Sequence, residues 1–154
     1  MKTIVAGYDG TREAEHALTR VAELARTFDA KVIVVSVSNP QPDAAPGAFG
    51  LTPYYYATSE TERQLDEAVL EQHRDHVKSF FAGSQLPVEF AGVVGDPAAE
   101  IVEAAAAHDA DLIVVGTREP GFLERLLGGS VSQGVARLAR CDVLIVHPPE
   151  ESGG

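Results

Sequence analysis

A chain of 154 residues, 45% hydrophobic and 23% charged, has the size and composition of one soluble globular domain. Its formal charge of −11 excludes duplex nucleic acid and anionic lipid as partners, because both are bound through clustered Lys and Arg. No apolar run approaches the ~20 residues that span a bilayer, "MKTIVAGYDG" lacks a signal-peptide pattern, and the single Cys141 forms no internal disulfide, so the expected compartment is the cytoplasm.

The first apolar run, "TIVAGY" (Thr3–Tyr8), has the length of a buried strand. A helix follows in "TREAEHALTRVAELARTF", with Ala14, Ala17, Leu18, Val21, Ala22 and Ala25 at helical spacing. Thr11 is placed to cap it, and Glu13 and Glu15 lie in the first turn, where the helix dipole favours acids. "KVIVVSV" (Lys31–Val37) is a second continuous strand. From Asn39 to Thr58, Pro, Gly and small residues dominate, and a long loop is expected there, with Tyr54, Tyr55 and Tyr56 facing a ligand, a partner surface or the core.

Ser59 with Glu62 forms a capping box ahead of a second helix. Leu65, Val69, His73, Val77 and Phe80 are expected along its buried side, and Gly83 stops it. "PVEFAGVV" (Pro87–Val94) alternates as an edge strand does. "GDPAAEIVEAAAAH" reads as a turn, an Asp96 cap, Pro97 at the first helical position and a helix. "DLIVVG" (Asp111–Gly116) and "DVLIV" (Asp142–Val146) are strands, with a helix between them from about Ser130 to Ala139.

Continuous apolar strands alternating with amphipathic helices predict an α/β fold, a doubly wound five-stranded parallel sheet with helices on both faces. One domain is expected over residues 1–148 and a flexible tail over 149–154. Ligands in such folds bind outside the carboxyl ends of the strands. That rule selects "GYDGT" after the first strand, "SVSNP" after the second and "GTREPGFLERLLGGSVS" after the fourth.

Several chemistries are excluded. There is no G-x-x-x-x-G-K-[ST], no G-x-G-x-x-G after the first strand and no G-x-S-x-G elbow. His73 and His76, three apart on a helix, lack further ligands at metal spacing and read as a surface or satisfied pair. Cys141 reads as a small apolar filler, and no Ser, His and Asp set is placed at the crevice. Gly116 ends a strand where the chain turns, and Gly128-Gly129-Ser130 precedes a helix whose bare amides suit an anion. Ser130 with Gln133 is also a capping box that needs no ligand. Both readings stand on these residues.

The run of motifs "IVAGYDGT", "GDPAAEIV", "DLIVVGTRE…GGSVS" and "CDVLIVH" resembles the universal stress protein family over residues 2 to 148. The resemblance implies strand order 3-2-1-4-5 and a homodimer joined through the last strand, Asp142 to His147. It also implies an adenine nucleotide, ATP with Mg²⁺, with little or no hydrolysis. The family pattern is Gly, two residues, Gly, nine residues and Gly-Ser or Gly-Thr; it falls on Gly116 and on Gly129-Ser130. By the same resemblance Asp9 contacts the ribose or adenine, Gly7 the adenine face and Val37 the adenine edge. Val115 lines the pocket, Val131 offers an amide to the phosphates, and Arg118 belongs to the same loop.

The middle glycine of the pattern is replaced by Glu119. A carboxylate near a phosphate charge costs ~1 kcal/mol in a water-like setting and ~4 at a partly buried surface. Turning outward to pair with Arg118 or Arg125, or sharing Mg²⁺, reduces that cost. The alternative implied by Glu119 is a dimeric stress protein that binds no nucleotide and acts through protein partners.

Overall fold

The computed structural model describes residues 1–39, 60–117 and 131–150, with Thr61 described by its main chain alone. Nine elements follow one another among these residues: β1 (Thr3–Gly7), α1 (Arg12–Phe28), β2 (Lys31–Ser38), α2 (Glu60–Phe81), β3 (Val88–Val94), α3 (Pro97–Ala107), β4 (Leu112–Gly116), α4 (Val131–Leu138) and β5 (Asp142–Val146). The strands pair in parallel in the order β3-β2-β1-β4-β5. The sequence order reverses between β1 and β4, where Ile4, Val5 and Ala6 stand opposite Leu112, Ile113 and Val114. The family's strand order is therefore the observed one, and β3 is an edge as its alternation implies.

Alternation along the strands divides the core in two. Ile4, Ala6 and Tyr8 of the first strand and its end, with Val32 and Val34 of β2, pack under α1 and α2. Val5, Ile33, Val35, Ile113 and Val115 pack under α3 and α4. The six α1 residues at helical spacing, Ala14 through Ala25, are all buried. Burying Leu18 alone contributes ~2–3 kcal/mol. Thr11 caps α1 by accepting from the Ala14 amide at 3.2 Å, and Asp29 ends the helix in the left-handed conformation at φ 53°.

The expected face of α2 needs correction. Leu65 and Val69 are exposed at 62% and 46%, whereas Val77 and Phe81 are buried. The inward track runs through Asp66, Leu70, His73, Val77 and Phe81, in steps of three and four residues that keep one helix face. Leu70 lies against Gly92 of β3, where its Cβ would be 3.4 Å from an added methyl. Asp66 and His73 displace apolar residues from the first half of the track because β2 presents hydroxyls there. Ser38 Oγ donates to Asp66 Oδ1 at 2.7 Å, and Ser36 Oγ lies 2.6 Å from His73 Nδ1.

Helix α3 begins as its sequence implies. Asp96 accepts from the Ala99 amide at 3.0 Å, and Pro97 stands in the first turn. At the opposite end of the sheet, the Asp111 carboxylate accepts from the Lys2 amide at 2.6 Å and the Thr3 amide at 3.0 Å. Those two bonds hold the carboxyl below its usual range. The Ser59–Glu62 capping box, the tyrosine run and residues 151–154 of the expected tail lie outside the described residues.

Candidate functional site

All five strands run one way, so β1, β2 and β4 end at the same edge of the sheet. Gly7 and Gly116 end the two strands that flank the reversal, and Asp9 follows two residues after Gly7. The Asp9 carboxylate accepts from the Thr11 amide at 3.0 Å and from the Thr11 hydroxyl at 2.5 Å. The acid therefore sits at the start of α1 and at the mouth of the crevice. Its position is fixed by the same threonine that caps the helix.

Each glycine has a packing reason of its own. A Cβ on Gly7 would lie 2.8 Å from Ile101 Cδ1 and 3.2 Å from Val115 Cγ1, so its absence lets α3 close on β1. A Cβ on Gly116 would lie 2.6 Å from the Glu13 carbonyl oxygen. That atom is backbone in the first turn of α1 and cannot swing aside. Gly116 therefore sets how near α1 approaches β4, whatever the loop beyond it does.

Gly7, Val37 and Val115 lie at the carboxyl ends of β1, β2 and β4 on the α3 and α4 face, where Gly7 and Val115 are buried, Val115 only 3% exposed, and Val37 is part-buried. Val131 is 42% exposed at the first described turn of α4. It belongs to the same end of the molecule, since Gly134 packs against Ala98 in the opening turn of α3, with an added Cβ 2.8 Å away. The described part of the motif thus converges. Arg118, Glu119, Gly129 and Ser130 lie outside the described residues.

Across the sheet, beneath the Asp9 turn, lies a polar cluster that hydropathy does not reveal. Ser36 is fully buried and paired with His73 Nδ1. Tyr8, 6% exposed, meets the His73 ring edge-on at 5.3 Å and stacks on His76 at 5.8 Å. His76 Nε2 is 2.8 Å from Glu15 Oε1 of α1. Burial pushes the His73 imidazole below the usual histidine value; Asp9 opposes that shift and His76 adds to it. Burial likewise raises the Tyr8 phenol, aided by Glu15 and Asp9.

Sequence reading placed no serine with a histidine here, and the structure joins Ser36 to His73. With its hydroxyl fully buried, Ser36 has no approach for a substrate and is no nucleophile. The two α2 histidines are a satisfied pair, each with its own partner, as read from the sequence. Among the described residues no group of three or more His, Cys, Asp or Glu side chains could hold a metal ion. Burial raises the Cys141 thiol, which makes it a poor nucleophile. A separate groove of about 240 Å³ lies between α1 and the end of β5, beside His16, Arg20 and His147, away from Asp9. No helix among the described residues is long and apolar enough to cross a membrane.

Sheet order and crevice together define a doubly wound α/β protein whose switch point lies between β1 and β4. The sequence model of the Universal stress protein family matches residues 1–147, and the chain belongs to that family. A universal stress protein of Mycobacterium tuberculosis is 35% identical over 146 residues, covering 95% of this chain and 96% of its own. One from Methanocaldococcus jannaschii is 33% identical over 150 residues, covering 97% of this chain and 84% of its own. Among solved structures, a universal stress protein in complex with cAMP superposes with a TM-score of 0.64 at 33% identity, covering 95% of this chain and 96% of that one. The UspA protein of Lactobacillus plantarum shares the fold with a TM-score of 0.74 at 22% identity, covering 94% and 97%.

Proposed function

We propose that the chain binds an adenine nucleotide in the crevice between β1 and β4 and serves as a regulatory stress protein with little or no hydrolysis. One observation carries this reading: Asp9 and Gly116 stand at the same end of two adjacent strands. Val37, part-buried at the end of β2, supplies an apolar edge suited to a purine, and Asp9 supplies an acceptor suited to a ribose hydroxyl. The Gly116…Gly129-Ser130 spacing supports a phosphate-binding loop and ATP with Mg²⁺ as ligand. The relative solved with cAMP at 33% identity supports an adenine ligand.

That relative also favours a second reading, in which the ligand carries a single phosphate. Glu119 repels a triphosphate more strongly than a phosphodiester, because the Coulomb penalty grows with the number of charges. The protein is further proposed to act as a homodimer joined through β5, since this strand ends the sheet with β4 as its only partner among the described residues.

Thermal melting with Mg-ATP and with cAMP tests the reading. A ligand at 100 times its Kd stabilises by ~2.7 kcal/mol, which raises Tm by roughly 5–10 °C for a domain of this size. Flat curves with both ligands at millimolar concentration remove the nucleotide reading. A Glu119→Gly variant that gains ATP affinity at least ten-fold, with cAMP affinity unchanged, identifies the carboxylate as the discriminator. Sedimentation equilibrium decides the dimer.

A further inference from the structure

His73 is held between two strand ends and a turn. On one side its Nδ1 meets the fully buried Ser36 hydroxyl of β2 at 2.6 Å. On the other, Gly10 presses on the ring: a Cβ there would lie 2.7 Å from His73 Nε2, and Gly10 has φ +80°. Only a residue without a side chain closes over the imidazole in that left-handed conformation. Gly10 is flanked by Asp9 and Thr11, which are bonded to one another. A residue of α2 thus touches the turn that carries the acid of the proposed nucleotide site.

The groups facing His73 determine what a proton would do there. Tyr8, directly after β1, meets it edge-on. β2 presents only the Ser36 hydroxyl. On its own helix the neighbouring titratable group is His76, which pairs with Glu15 of α1 at 2.8 Å. Asp9 is the acid whose charge favours the imidazolium. A proton on His73 therefore finds one carboxylate in the turn above it.

We propose that His73 is a proton-operated latch on the Asp9–Gly10–Thr11 turn. With the ring neutral, Asp9 stays with Thr11 and faces the crevice; with the ring charged, Asp9 is drawn toward the imidazolium and away from Thr11 and ligand. Because Thr11 also caps α1, the first turn of that helix moves with the acid. The consequence for ligand rests on the nucleotide reading, but the latch itself does not.

The test is an NMR titration of the full chain from pH 8 to pH 5. The Gly10, Thr11 and Ala14 amides should shift with the midpoint of the His73 ring in the wild-type protein and in His76→Gln, and should lose that step in His73→Gln. Asp9→Asn should lower the His73 midpoint by removing the attracting charge. Amides that stay silent, or that follow His76, overturn the latch whether or not nucleotide binds. Adenosine, which carries no phosphate to titrate, probes the link to the site. Its affinity should fall about ten-fold across the His73 midpoint, the equivalent of a one-unit displacement of that midpoint by ligand, and should be independent of pH in His73→Gln. Adenosine bound with equal pH dependence by both proteins overturns the link. If adenosine, ATP and cAMP all fail to bind at any pH, the nucleotide reading falls and the amide titration alone decides the latch.

Discussion

The two faces of the sheet are built differently at the carboxyl ends of the strands. Under α3 and α4 the packing is apolar apart from the buried Ser132 of α4, and Ile101 and Val115 close around the bare Gly7. Under α1 and α2 the apolar core gives way, in the same layers, to Tyr8, Ser36 and Ser38, answered from α2 by His73 and Asp66. Buried polar groups cost stability unless hydrogen-bonded, and here each bond crosses from strand to helix. The apolar face suits a flat wall for a ligand. The polar face suits a response to conditions, because its histidine and carboxylate contacts depend on protonation.

The largest expected effect breaks the apolar half of the α1 face. Leu18→Ala, at a fully buried position, should destabilise by about 3 kcal/mol. Denaturant unfolding should show a lower midpoint at unchanged slope. Gly116→Ala should cost about 2 kcal/mol through overpacking against the Glu13 carbonyl. Loss of stability without nucleotide would distinguish its packing role from a purely ligand-binding one, which predicts no change.

Ser36→Ala leaves the His73 ring nitrogen without its partner and should cost ~1–2 kcal/mol. The pH dependence sharpens the contrast between faces. The folded protein holds His73 below the usual value of 6.5, so the unfolded chain takes up the proton more readily. This contribution to stability is full above pH 6.5 and is lost as pH falls toward the folded value. Unfolding measured from pH 7.5 down to pH 5 should show that decline in the wild-type protein and less of it in His73→Gln. The smallest effect belongs to the cap: Thr11→Ala should cost about 1 kcal/mol and should loosen Asp9, visible as faster amide exchange in the first turn of α1.

Much of this architecture is legible in the sequence because it rests on periodicity. Alternating long apolar runs and amphipathic stretches gave the elements, and the α1 stripe from Ala14 to Ala25 is buried residue for residue. The error in α2 has a physical origin. A hydropathy scan assigns the inward track to Leu65 and Val69, yet Asp66 and His73 turn inward because Ser38 and Ser36 meet them. Nothing local to α2 contains that information; it lies some thirty residues earlier, in two serines of a strand that otherwise reads as apolar. A serine on the inward parity of a buried strand is the signal that could have found the partner. The order of elements made a candidate site legible as a location only. The packing duties of Gly7 and Gly116 were not, since they depend on how closely helices from distant parts of the chain approach.

The clamp formed by Asp111 on the amides of Lys2 and Thr3 has a practical consequence. It anchors the chain from its second residue and leaves Met1 42% exposed at the rim where the strands begin. Asp9 lies six residue steps beyond Thr3, roughly 20 Å at the usual strand rise. An affinity handle or a sensor-chip tether attached ahead of Met1 would emerge on the side remote from the crevice, so immobilised protein should present its binding mouth to solution unobstructed.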